Sequence, residues 1–160
     1  MRMLSRLVMV AVGAVLVAAA PAAAADTIKV GAILAVTGPA AFLGAPEAKT
    51  LEMLAAQVNA AGGVKGMKIE LVIKDSAGDA EKALSLAKQL VEEDKVFAVI
   101  GPSTSGESMK IKQYMDENAT LLLSCAAAES ITKPVMKWIF KTPQSDANAA
   151  RLIFTDLKLK

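Results

Sequence analysis

Histidine is absent from all 160 residues, and cysteine, tryptophan and tyrosine occur once each. The missing imidazole removes the commonest general base and the commonest metal ligand. A single thiol, Cys125, excludes an intramolecular disulfide. No G-x-x-x-x-G-K-[ST] loop is present, and no G-x-G-x-x-G follows the first strand. Ser103 stands outside any G-x-S-x-G elbow and has no histidine to activate it. The adjacent acids Glu92 and Glu93 fall on a helix exterior, a poor setting for acid–base chemistry. These absences predict a protein that is not an enzyme, with no metal and no cofactor.

What is present begins with a leader. Arg2 and Arg6 precede an uncharged apolar stretch from Leu7 to Ala20, and Ala23-Ala24-Ala25 offers small residues before Asp26. This predicts a cleaved signal peptide over 1–25 and export from the cytoplasm. The stretch is shorter than the roughly 20 residues a spanning helix needs. No cysteine follows it, so a lipoprotein anchor is not indicated. Without Arg2 and Arg6, the 18 basic residues fall by 2 to match the 16 acidic ones. A neutral mature chain argues for neither nucleic acid nor a membrane surface as partner.

Apolar runs then alternate with amphipathic stretches. Strands are predicted over 28–34, 69–74, 96–100 and 120–124, with a short extended piece at 138–141. Helices are predicted over 46–61, 80–93 with Asp79 as N-cap, 107–118, and from an Asp146 cap to the end. Apolar strands alternating with helices imply an α/β fold, a parallel sheet between helical layers. The chain closes on a helix where this pattern would next supply a strand, so a longer protein is expected.

Ligands of open parallel sheets bind beyond the carboxyl ends of the strands. Three segments fall there: 37–44, 101–106 and 124–130. The second joins a buried strand to a helix start with Ser103, Thr104 and Ser105 in succession. First-turn N–H groups and the helix dipole favour an anion there. The plainer alternative is that one hydroxyl caps the helix. Small residues of the third segment would admit a ligand to the backbone, or pack the loop onto the sheet. Phe42 and Leu43 would wall an apolar pocket, or pack beneath their loop. Trp138, Tyr114, Phe97 and the methionines are assigned to the core, and Cys125 is read as a small buried hydrophobe. Glu107, Asp116 and Glu117 are assigned to a solvated helix face.

Ile28-Lys29-Val30-Gly31, Thr37-Gly38-Pro39, Asn59-Ala60-Ala61-Gly62-Gly63-Val64-Lys65-Gly66, the Asp79-to-Ala83 helix start, Val99-Ile100-Gly101-Pro102 and Phe140-Lys141-Thr142-Pro143 occur in order. Together they resemble periplasmic branched-chain amino acid binding proteins, the leucine/isoleucine/valine-binding receptors of ABC importers. The resemblance implies a type I periplasmic binding fold of two Rossmann-like lobes with a small-molecule solute, an amino acid or organic carboxylate, held between them. Residues 26–142 would then form most of lobe one, and 143–160 the start of lobe two. ABC permease subunits would be the membrane partners. Ser105 would bind the solute carboxylate, and Ala126 would offer its carbonyl to an α-ammonium. Ala128 stands where the family usually has threonine, which brings carboxylates without an ammonium into consideration. A sensor domain of the same fold, or a secreted enzyme of flavodoxin-like architecture, are the competing expectations.

Overall fold

Each short apolar run is a strand, and the first three are followed by helices that pack back on the sheet. The computed structural model describes residues 27–158; the leader assigned to 1–25 lies outside them. The strands are β1 (Thr27–Leu34), β2 (Lys68–Asp75), β3 (Ala98–Ile100), β4 (Leu121–Ser124) and β5 (Ile139–Lys141). The helices are α1 (Ala41–Ala60), α2 (Ala80–Lys88), α3 (Ser105–Glu117) and α4 (Asp146–Lys158). All neighbouring strands run parallel, in the order β2-β1-β3-β4-β5.

The main core lies between the sheet and the α2–α3 layer. Ile33, Val99, Leu122 and Ile139 from the strands meet Ala83, Ala87, Leu90, Ile111 and Met115. A smaller cluster of Ala32, Leu34 and Ala48 joins α1 to the other face. There α1 packs on β1 and β2. Ile100 and Leu123, on the same face of β3 and β4, are only half-buried.

Several boundaries differ from the sequence reading. Helix α1 begins at Ala41 and carries Pro46 inside it. Gly44 allows this early start: a Cβ there would lie 2.3 Å from the Ala35 carbonyl oxygen. The helix therefore rests directly on the chain leaving β1. Asp79 caps α2 as expected, accepting from the Lys82 N–H at 2.7 Å. The helix then widens into a π turn over Gln89–Glu93, where Asp94 N–H reaches back to the Gln89 carbonyl. Ser145, not Asp146, receives the first-turn bond of α4, from Asn148 N–H at 3.3 Å.

Side-chain placements differ too. Phe97 is 71% exposed, and Met53 and Met109 are also exposed, whereas Met115 is fully buried. Phe97 stands one residue before β3, its N–H bonded to the Lys29 carbonyl at 2.8 Å. Glu107 is only 1% exposed, for a reason given below. Asp116 is half-buried and takes the Trp138 N–H at 2.9 Å, pinning the entry to β5. Glu117 is exposed. Among the described residues, no helix is long and apolar enough to cross a membrane.

Candidate ligand-binding rim

Strand order reverses between β1 and β3, because the chain leaves these neighbours for opposite faces of the sheet. That divergence opens a crevice at the carboxyl ends, the usual ligand position in such sheets. Here the crevice is spanned by protein. The Ser103 hydroxyl accepts the Ala35 N–H at 3.1 Å and donates to Glu47 Oε2 at 2.5 Å. Ser103 is 4% exposed. Its hydroxyl, singled out from sequence as a ligand contact, joins the two diverging loops.

Thr104 is held in a different way. It is the N-cap of α3 in a capping box, its hydroxyl taking Glu107 N–H while Glu107 Oε2 takes the Thr104 N–H and hydroxyl. The plainer alternative of the sequence reading holds for this residue. The box also buries Glu107, whose carboxylate has to turn back over the first turn.

Ser105 is half-buried at the first position of α3. Its hydroxyl accepts the Ala128 N–H at 3.3 Å, so the fold brings together two positions singled out from sequence. The Ser105 and Gly106 N–H groups belong to the first turn, where a helix offers no internal acceptor. Ala126 is buried in the main core, and its N–H bonds the Ser124 hydroxyl. Ser124 in turn bonds Ser108 at 2.7 Å. This buried hydroxyl pair holds the β4 exit against α3. Phe42 projects into solvent, 76% exposed, and Leu43 is exposed beside it. They stand on the first turn of α1.

Three rim residues escaped the sequence reading. Lys141 Nζ donates to the Ala127 carbonyl at 2.6 Å, steadying the loop that carries Ala126 and Ala128. Glu47 lines a cleft of about 410 Å³ beside the rim, with Leu51, Ile100, Leu123, Cys125 and Thr142. Asp75 holds the β1–α1 loop, accepting the Thr37 hydroxyl at 2.5 Å and N–H at 3.1 Å. A larger hollow of about 820 Å³ lies at the opposite end of the strands, at their amino termini, between Thr27, Lys29, Lys65 and Phe97. It has no helix N-terminus facing it and lies away from the three loops.

Electrostatics describe the rim further. Burial, then the nearby Glu47 charge, push the half-buried Cys125 thiol up to about 11. It stays protonated at neutral pH and is no nucleophile. Among the described residues, no three Cys, Asp or Glu side chains cluster as a metal site would require. The Thr37 hydroxyl, with the Ala77 and Thr37 N–H groups, lowers Asp75 from 3.8 to about 2. Such a group adds stability above 3.8 that disappears as pH falls towards 2. Thr37→Val is accordingly expected to destabilise most at neutral pH. Thermal unfolding followed by circular dichroism should show the deficit shrinking between pH 4 and 2; a constant deficit would contradict this.

A periplasmic binding protein family model matches residues 27–157. The leucine-, isoleucine-, valine-, threonine- and alanine-binding protein of Pseudomonas aeruginosa is 36% identical over 119 residues, covering 74% of this chain and 32% of that protein. The Leu/Ile/Val-binding protein of Escherichia coli is 31% identical over 151 residues, covering 91% of this chain and 41% of its own. Among solved structures, the branched-chain amino acid transporter substrate-binding protein LivJ of Streptococcus pneumoniae, in complex with isoleucine, superposes with a TM-score of 0.73 at 32% identity. That match covers 76% of this chain and 35% of LivJ. The chain thus spans between about a third and two-fifths of these relatives' length.

Proposed function

This chain belongs to the periplasmic binding protein family, and from that premise we propose that it supplies the first-lobe half of a solute site in an extracytoplasmic receptor. The receptor delivers its solute to ABC permeases and does no chemistry on it. The observation that supports this most is the Ser105–Ala128 contact at the carboxyl rim of the sheet. Beside that contact are the Ser105 hydroxyl, two first-turn N–H groups and a small-residue loop.

A solute carboxylate would take the Ser105 hydroxyl and N–H. Ala126 would present its carbonyl to an ammonium if the solute has one. Ala128 offers only its N–H, which already bonds Ser105, so a branched-chain amino acid or a simpler organic carboxylate both suit the rim. Phe42 and Leu43 stand exposed beside it, ready to cover the solute's apolar part.

Magnitudes limit the affinity of this lobe. The helix terminus is worth up to about 2 kcal/mol, and each charge-assisted hydrogen bond about 1.5–3. Micromolar binding requires about 8 kcal/mol after ordering costs. The chain is therefore expected to bind its solute more weakly than micromolar. Amide NMR with millimolar leucine, isoleucine, an aliphatic amide and benzoate tests this. At least one should shift the Ser105, Ala126 and Ala128 signals, and Ser105→Ala should abolish the shift. The proposal fails if no member of the panel moves these amides, or if the shifts survive Ser105→Ala.

A further inference from the structure

Helix α4 and one face of the outer strands are both uncovered. No residue of α4 is buried. Ile153, Phe154 and Leu157 are 59%, 64% and 60% exposed. With Ala150 they recur at helical spacing and form one apolar stripe. A helix of 13 residues is marginal in water unless it packs such a stripe against something.

The sheet offers a matching surface. Val99, Leu122 and Ile139 face the α2–α3 core, so their successors Ile100, Leu123 and Phe140 face the other way. These three lie side by side across β3, β4 and β5. On that side α1 packs on β1 and β2. Beyond it, Ile100 and Leu123 are half-buried and Phe140 is exposed. The cleft of about 410 Å³ is lined there by Ile100 and Leu123 from the sheet and by Glu47 and Leu51 from α1.

Charge and position agree with shape. Glu47 takes part in none of the ion pairs found among the described residues. Arg151 and Lys158, seven residues apart, flank the α4 stripe on one side. Thr142 also lines the cleft and stands just before α4 begins at Asp146. The root of the helix therefore adjoins the surface that fits it. One α4, about 20 Å long and 10 Å across, covers less than the roughly 800 Å² a side of a standard interface. A two-fold arrangement doubles the contact.

We propose that two copies of this chain exchange α4, the Ile153–Phe154–Leu157 stripe of each lying on the Ile100–Leu123–Phe140 face of the other, with the α4 cations towards Glu47. The contact stands whether or not a solute binds the rim.

Sedimentation equilibrium of the chain should show a monomer–dimer equilibrium, and amide exchange in α4 should slow as the dimer fills. Ile153→Asp, on a helix with no buried residue, leaves both cores intact and should raise the dissociation constant by about tenfold or more. Thr50→Arg, at an exposed α1 residue that lines the cleft, should do the same from the other side. Mixing the two variants restores one of the two contacts. The Ile100 and Leu123 amides of the Ile153→Asp chain should therefore shift when the Thr50→Arg chain is added. A monomer at every concentration overturns the inference, as does a dimer unchanged in both variants or a mixture in which those amides stay still.

Discussion

Replacing Gly101 by alanine is expected to cost about 4 kcal/mol or more, among the largest effects a single substitution produces. Two independent penalties coincide. Its φ of +97° lies outside what an L side chain tolerates cheaply, and such strain costs about 1–3 kcal/mol. A Cβ would also sit 2.1 Å from the Ile33 carbonyl oxygen. Ile33 cannot retreat, because it lies in β1, between β2 and β3, and is fully buried. Gly101 itself cannot tip away without losing its N–H bond to Leu123 at 3.0 Å. Whole domains are stable by only about 5–15 kcal/mol, so much of the fold's margin goes. Gly62 provides the control, with a φ of +103° but no atom within 4 Å of its added Cβ. Urea unfolding should show Gly62→Ala losing the strain alone, with Gly101→Ala far below it. Equal midpoints for the two variants would refute the clash.

The second large effect is expected at the π turn. Leu90 is fully buried there and joins the core around Ile33 and Val99. Its Cδ1 lies against Gly31, where even one added carbon would be 2.9 Å away. Leu90→Ala is expected to cost about 3–5 kcal/mol, the transfer term plus a cavity term. The upper part of the range applies because the neighbours cannot fill the space. Gly31 has no side chain to move, and the turn is fixed by Val96 N–H on the Leu90 carbonyl at 3.1 Å. Denaturant titration should move the midpoint with an unchanged slope. A loss under 1 kcal/mol would show that the turn collapses onto β1.

Periodicity made the strands and their order of appearance legible, because buried parallel strands are short and wholly apolar. Helix starts were less so, since they depend on caps. Thr104-x-x-Glu107 is a capping-box spacing visible in the sequence, and reading it would have set the start of α3 at Ser105 and put Glu107 inward. Glu47 was legible in the same way: it shares a helical face with Gly44, Ala48 and Leu51. Ser103 was not. A hydroxyl in a loop gives no local sign of whether it faces solvent or spans to Ala35, and only the topology places Ala35 opposite it. Phe97 was missed because an aromatic at a strand's start looks apolar whether or not a layer covers it.

The pairing pattern of β1 has a consequence for the order of events in time. Thr27 has no partner until Lys68 exists, and Val30 none on its other side until Ala98 does. Non-local pairings of this kind make folding slow, because the loop must close before the contacts reward it. A polypeptide emerging amino end first would remain unlocked while much of its length passes.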